Sequence, residues 1–355
     1  MEIFIDTNIF ISERYFVSSF VTSFFKACKL LRIKIFVPEL VIDEVKGNYY
    51  LELRKRYQLL EKSVKNINKL LVDKKLDISI IDEKDKYNNW LDSFLQDYEV
   101  QRLPYPDITL QDIVVASYNE KKPFKSNREG HKDYIIWKTI LKKIENSTED
   151  KSYFLTNNTS DFCERKGQNE FFLHKELLAD LSNPNKSILI SPSLRELFDK
   201  IIKPSLDNIS SEDILELSNL NLEEIVEEII GKELNSYSTY GFEGLPFNDD
   251  VTITFVNESN IKNLTYSGLG EEILITAKGN ASIDAEGFVE KTTFRTEDND
   301  KKHFDFRILE INWNDSVALV GANLTTPYEL SIIYSKTDKK ITSHELYLLE
   351  EISDF

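Results

Sequence analysis

The chain has 355 residues, 41% of them hydrophobic and 30% charged, which is enough for two domains with separate cores. No apolar stretch has the length of a membrane span, the N-terminus leads directly into a predicted strand with no room for a signal peptide, and two unrelated cysteines, Cys28 and Cys163, suit neither a disulfide framework nor a zinc site. We therefore expect a cytoplasmic globular protein without a membrane partner.

The net charge of −17 is unevenly distributed along the chain. Residues 206–355 contain 30 Asp and Glu against 11 Lys and Arg, a balance of −19, which leaves +2 for residues 1–205. This asymmetry predicts a domain boundary near residue 205. A near-neutral domain with local basic clusters can bind nucleic acid, whereas a strongly acidic one repels phosphates.

The first predicted strand covers residues 3–5, an apolar run without helical period that is typical of a strand buried on both faces. Asp6 follows at once, at the edge where parallel strands place ligands and catalytic groups. Thr7 and Asn8 offer short polar side chains that hold a carboxylate in one orientation. A divalent cation is a common counter-charge in such a place, while an Asp that only caps the next helix is the alternative.

A helix over residues 14–31 and a strand over residues 32–37 predict a βαβ unit and hence a parallel sheet. Pro38 then opens a helix in which Glu44 lies beside the apolar stripe. Because this helix follows a strand of the same sheet, Glu44 is a candidate ligand, and a solvated boundary glutamate is the alternative.

Residues 49–98 are highly charged and predict long helices packed over the sheet, an insertion that shapes a substrate groove. Beyond them, Thr109 and Asp112 have the spacing of a capping box, which gives Asp112 a structural role.

A loop-like basic stretch over residues 121–133, called the basic loop below, ends with the third acidic candidate, Asp133. Asp133 heads a helix with an apolar stripe. A carboxylate at a helix N-terminus is favoured by the dipole, so capping alone is one interpretation. In the other interpretation Lys125, Arg128 and Lys132 lie beside Asp133 and hold a phosphodiester, although a solvated basic loop is the simpler explanation for each of them.

A further strand over residues 151–156 leads into a polar turn with Asp161 just beyond it. Such a turn needs no catalytic explanation by itself. The recurrence of the arrangement is what indicates a site, since four acids each follow a strand end or head a flanking helix: Asp6, Glu44, Asp133 and Asp161.

These segments resemble the motifs of PIN-domain nucleases. Four segments carry the resemblance in the family's order: residues 4–8, 37–45, 130–137 and 155–162. The third has the form seen in larger bacterial PIN-like proteins, and the last is close to the toxin-type version. The resemblance covers roughly residues 1–205, with a longer helical region than the minimal toxins have.

The resemblance implies an α/β fold, a Rossmann-like parallel sheet flanked by helices, with one or two Mg²⁺ or Mn²⁺ ions at its carboxyl edge. Asp6, Glu44 and Asp133 match the catalytic, metal-binding acids, and Asp161 matches a fourth, more variable one. The expected supporting residues are Thr7, Asn8, Thr156 and Asn157. The chemistry agrees, because clustered carboxylates need cations to stay ionised and hard oxygen ligands select these metals.

The acidic domain, residues 206–355, has a helical start and then alternating segments that predict a mainly antiparallel β domain. The predicted strands are residues 251–256, 272–276, 281–285, 304–308 and 328–334. The predicted turn residues are Gly268, Gly270, Gly279, Asn280 and Gly287. With no catalytic constellation, this domain is expected to bind a protein partner, to self-associate or to shield the basic loop, and a solubilising role is the alternative.

We therefore predict a metal-dependent endonuclease that hydrolyses phosphodiester bonds, in RNA rather than DNA. A toxin-like or anti-phage setting follows from the resemblance alone. The alternatives are a catalytically silent PIN-like scaffold that binds RNA or protein, and a structure-specific DNA nuclease with the same acidic site.

Overall fold

The computed structural model describes residues 1–73, 75–78, 82–165, 171–243, 245–247, 251–294 and 306–352. The chain divides into two compact units, Met1–Ser205 and Leu206–Phe355. Each unit has its own sheet and its own buried apolar residues.

Seven strands form the sheet of the N-terminal unit. They are β1 Glu2–Ile5, β2 Lys34–Pro38, β3 Gln101–Leu103, β4 Lys151–Leu155, β5 Cys163–Arg165, β6 Phe171–Leu173 and β7 Ser187–Ser191, in the order β3-β2-β1-β4-β7-β6-β5. The first five strands of this order run parallel, and β6 is antiparallel to both of its neighbours. The parallel core confirms the predicted Rossmann-like sheet, whereas the antiparallel edge was not predicted.

Helices flank this sheet. They are α1 Thr7–Ser12, α2 Ser19–Leu30, α3 Glu39–Asn68, α4 Glu83–Asp97, α5 Leu110–Tyr118, α6 His131–Glu145, α7 Thr159–Phe162, α8 Lys175–Leu178 and α9 Leu194–Leu197. Thr109 and Asp112 form the predicted capping box at the start of α5. The helix that carries Glu44 continues without a break into the region predicted as an insertion, so α3 belongs to both. Among the residues described, no helix combines the length and the apolar character of a membrane span.

Aromatic contacts fix the base of the long helices. Phe25 of α2 lies 5.0 Å from Phe94 of α4 between ring centroids, and Tyr49 of α3 stacks on Tyr87 of α4 at 3.7 Å. Tyr87 and Phe94 are buried and belong to the core of this unit. This packing holds the first turns of α3 beside the carboxyl edge of the sheet.

The C-terminal unit is a helical start followed by an antiparallel sheet, which confirms the predicted β domain. Its helices are α10 Ser211–Ser218 and α11 Leu222–Leu234, and its strands are β8 Ser238–Thr239, β9 Gly241–Phe242, β10 Val251–Leu269, β11 Glu272–Glu290, β12 Arg307–Glu310, β13 Val317–Ser335, β14 Lys340–Leu348 and β15 Glu351–Ile352. The main sheet has the order β12-β13-β11-β10-β8, and β14 also pairs with β13. Apolar residues of α11, such as Val226 and Ile230, share its core with Ile275 and Ile283 of β11.

The strands of this unit are longer than predicted, and most of the predicted turns were wrong. Residues 272–276 and 281–285 belong to the one strand β11, which contains Gly279, Asn280 and Gly287, and Gly268 lies inside β10. Gly270 alone of these residues lies in the turn between two strands, with φ of +70°. Gly279 serves a close approach instead, because a Cβ there would lie 1.8 Å from the Asn260 carbonyl oxygen and 2.8 Å from the Tyr328 hydroxyl.

Gly279→Ala should therefore destabilise the C-terminal unit, by about 1–3 kcal/mol or more, since the added methyl group overpacks backbone atoms. Gly231→Ala is the matched control: it lies in α11, a Cβ there meets nothing within 4 Å, and stabilisation by about 0.4–1 kcal/mol is expected. Urea unfolding followed by circular dichroism measures both. A Gly279→Ala chain as stable as the wild type would contradict the steric explanation.

Candidate active site

The carboxyl ends of three adjacent strands bring the predicted acids to one edge of the parallel sheet. Asp6 directly follows β1, Glu44 lies in the second turn of α3 after β2, and Asp161 lies in α7 after β4. Asp133 is in the first turn of α6. Because β2, β1 and β4 are neighbours, this edge is the place where an open α/β sheet holds its ligands.

Asp6 is buried, with only 2% of its surface exposed, and Asp161 is buried to a similar extent, with 1% exposed. Its Oδ1 accepts a hydrogen bond from the Thr7 amide at 2.7 Å, and its Oδ2 accepts one from Thr156 Oγ1 at 2.7 Å. Burial raises the pKa of Asp6 to about 7, and the negative charges of Asp133 and Glu44 add to the effect, while both hydrogen bonds oppose it. Asp6 does cap α1, as the alternative interpretation held, and it also belongs to this charged network.

Glu44 is hydrogen-bonded to Thr7, the residue that follows Asp6 and begins α1. Its Oε2 accepts a hydrogen bond from Thr7 Oγ1 at 2.7 Å, and its Oε1 lies 2.6 Å from Lys132 Nζ. Thr7 therefore contacts two acids at once, Asp6 through its amide and Glu44 through its hydroxyl.

Asn158 links the other two acids, and sequence reasoning did not select it. Its Nδ2 donates to Asp133 Oδ1 at 3.1 Å and to Asp161 Oδ2 at 2.9 Å. Partial burial, together with the charges of Asp161 and Glu44, raises the pKa of Asp133. The polar turn after β4 was recognised in the sequence, but nothing in its pattern distinguishes the amide of Asn158 from that of Asn157.

Thr156 is the centre of the supporting polar residues. It is fully buried, and its Oγ1 donates to Asp6 while it accepts bonds from the Asn158 amide at 3.1 Å and from Asn8 Nδ2 at 3.4 Å. Asn157 contributes its backbone, which donates to Asn8 Oδ1 at 3.3 Å. The structure thus brings all four predicted supporting residues into the same network.

Two residues of the basic loop reach the acids and one does not. Lys125 Nζ lies 3.2 Å from Asp161 Oδ2, and Lys132 pairs with Glu44. The Arg128 guanidinium instead lies over the Tyr118 ring, 4.7 Å from its centroid.

The carboxylate oxygens of the four acids suit a hard cation, although these side chains do not converge on one point. Carboxylate oxygens are the ligands that Mg²⁺ and Mn²⁺ prefer, and the raised pKa values of Asp6 and Asp133 show that their negative charge is costly. Within the described residues, however, no three Asp, Glu, His or Cys side chains converge closely enough to hold an ion. Binding would therefore require side-chain movement.

Comparison with known proteins gives one match. The family described as PIN domain matches residues 3–162, a segment that contains all four acids. Neither the curated proteins nor the solved structures give a match.

The raised pKa of Asp6 makes stability depend on pH in the metal-free chain. The folded state holds this proton more tightly than the unfolded state, so its contribution to stability is full below pH 4 and is lost as the pH rises through about 7. The side chain introduced by Asp6→Asn cannot ionise, and its oxygen can still accept the hydrogen bond from Thr156 Oγ1. In EDTA at pH 8, the free energy of unfolding of Asp6→Asn should therefore exceed that of the wild type by a difference on the order of a few kcal/mol.

Melting curves of both proteins between pH 4 and pH 8 measure this difference. It should vanish near pH 4. A difference in stability of the same size at pH 4 and at pH 8 would show that it arises from packing and not from the ionisation of Asp6.

Proposed function

The N-terminal unit of this chain belongs to the PIN-domain superfamily, and we propose that it is a divalent-metal-dependent endonuclease that cleaves RNA. One observation carries the proposal: Thr7, Thr156 and Asn158 connect all four acids at the carboxyl edge of the sheet. RNA is favoured over DNA because residues 155–162 resemble the toxin-type members of the family.

In this proposal Asp6, Glu44, Asp133 and Asp161 hold one or two Mg²⁺ or Mn²⁺ ions. Bound metal would supply activation of the attacking water and stabilisation of the leaving oxygen. The oxygen-rich donor set and the cost of the buried charges support this assignment.

The neutral donors of the network orient the acids without neutralising them. Thr156 and the Thr7 amide fix the plane of the Asp6 carboxylate, and each of its oxygens keeps a further lone pair. Thr7 positions Glu44, and the side-chain amide of Asn158 positions Asp133 and Asp161. The negative charge therefore remains available for a cation.

Lys125 and Lys132 supply positive charge beside the same acids. When a cation takes their place, both ammonium groups become free to contact the phosphodiester that is cleaved. Their ion pairs with Asp161 and Glu44 show that each side chain is long enough to reach the site.

The same two ion pairs favour one alternative, a catalytically silent scaffold. They neutralise two of the four acids without metal, as a protein that only binds RNA or another protein would require. A toxin-like or anti-phage role, a cytoplasmic location, and a protein partner or second copy bound by the acidic unit remain predictions of the sequence.

Asp6→Asn and Glu44→Gln should each lower cleavage of single-stranded RNA with Mn²⁺ by more than about 100-fold, since even indirect partners of a metal typically cost 10–100-fold. Asp43→Asn is the matched control, because Asp43 neighbours Glu44 on α3 but accepts a hydrogen bond from the Tyr105 hydroxyl at 2.7 Å. It should keep full activity.

A panel of single-stranded RNA, single-stranded DNA and branched DNA, each with Mn²⁺ or EDTA, measures these rates. Cleavage that survives in EDTA or in Asp6→Asn would contradict the proposal. RNA binding without cleavage would favour the scaffold, and preference for branched DNA would favour the structure-specific DNA nuclease.

A further inference from the structure

Helix α3 is anchored at one end and exposed over most of its length. Its thirty residues extend about 45 Å at 1.5 Å per residue. Its buried residues are Val41, Ile42 and Val45 near the start, and Val64 farther out. Lys46 pairs with Asp92 of α4 at 2.8 Å, which anchors the start of α3 to α4.

The exposed part carries a basic stripe on one face. The basic stripe consists of Arg54, Lys55, Lys62, Lys65 and Lys69, all of which are exposed. At 100° per residue these five positions fall within a sector of about 100°. Lys55, Lys62 and Lys69 are seven residues apart, which places them about 10.5 Å from one another along the axis with only a small angular drift.

The basic stripe begins at the candidate active site. Glu44 falls in the same angular sector of α3, so the face that presents Glu44 to the site is the face that carries the cations farther out. Gly47 lies between them, and a Cβ there would meet nothing within 4 Å, so this stretch of the face is open.

Residues 75–78 of the returning chain lie on a neighbouring face of α3, about 110° from the centre of the basic stripe. The Tyr57 hydroxyl donates to the Ile78 carbonyl at 3.0 Å, and the Asn68 side chain bonds the Leu76 amide at 2.7 Å and its carbonyl at 2.8 Å. Val64 is buried on that side. The described residues of the returning segment therefore pack beside the basic stripe, whose five side chains remain exposed.

Most of the cations in the basic stripe have no acidic partner. In the described part of the chain, Arg54, Lys55 and Lys62 form no ion pair, Lys69 donates to Asn66 at 3.3 Å, and Lys65 alone pairs with an acid, Glu61, at 2.8 Å. Like charges three and four residues apart on a helix repel one another, so a bound polyanion would relieve the repulsion.

We propose that the basic stripe binds the sugar–phosphate backbone of a single-stranded RNA and leads it to the four carboxylates. This inference rests on the proposed function and names where the substrate lies. From Glu44 to Lys69 the face extends about 37 Å, which corresponds to about eleven stacked nucleotides at 3.4 Å each. Regular spacing, a free face and continuity with Glu44 favour a strand over the acidic surface of a second copy.

The test uses the full chain in EDTA and the fluorescence anisotropy of labelled single-stranded RNA of 6, 12 and 18 nucleotides. The test variant combines Lys55→Gln, Lys62→Gln and Lys69→Gln, which keeps helix propensity nearly unchanged. The control combines Lys34→Gln, Lys151→Gln and Lys200→Gln. Lys34 and Lys151 begin β2 and β4 at the opposite edge of the sheet, and Lys200 lines the same cavity as Lys151.

Wild-type affinity should rise from 6 to 12 nucleotides and then level off. The test variant should bind the 12-nucleotide RNA at least tenfold more weakly, and the slope of log affinity against log salt should decrease by about 2, given roughly 0.7 per lost phosphate contact on a single strand. The control should bind like the wild type.

Several results would overturn the inference: equal losses in test and control variants, no loss in the test variant, or no RNA binding by the wild type. A test variant that binds RNA normally but sediments differently would assign the basic stripe to contact between copies. Because binding is measured without cleavage, failure of the nuclease proposal leaves this test intact. If the test variant binds RNA normally and the wild type cleaves RNA, the proposed RNA path along the basic stripe is wrong and the nuclease proposal stands.

Discussion

The hydrogen bond from Thr156 to Asp6 joins two adjacent central strands of the parallel sheet where a charge is costly to bury. Asp6 follows a strand whose residues Ile3, Phe4 and Ile5 are fully buried, so its carboxylate cannot turn away to solvent without disturbing that strand. The surrounding polar groups are arranged to hold it there. A buried carboxylate is tolerated when it is hydrogen-bonded and then protonated or paired with a cation, and the two hydrogen bonds supply only the first condition.

The distribution of lysines indicates where a cation would help most. Lys132 pairs with Glu44, and Lys125 pairs with Asp161. Asp6 and Asp133 form no ion pair among the described residues, and each has a raised pKa to which the charges of the other acids contribute. These two carboxyls therefore have no cationic partner among the described residues. A bound divalent cation would lower the cost of their negative charge, whereas the two lysines are engaged with Glu44 and Asp161.

Local signals in the sequence predicted the features that depend on a few neighbouring residues. The apolar run before Asp6, the capping box of Thr109 and Asp112, and the acids after strand ends are of this kind. The features that were missed depend on distant contacts. Gly279 was assigned to a turn, because its approach to Asn260 exists only once β10 and β11 pair. Asn158 was passed over because its role depends on Asp133, 25 residues away.

Glu44 and the basic stripe of the proposed RNA path lie on the same helix, α3. The base of α3 is held by Arg102, which pairs with Glu39 and with Asp92, and by Lys46, which also pairs with Asp92. An RNA strand bound along the outer face of α3, as proposed, would therefore contact the same helix that carries Glu44. Thr7 then joins Glu44 to Asp6 through a single residue. In the proposed complex, one continuous helix and one threonine would link the RNA on the basic stripe to the carboxylates of Glu44 and Asp6.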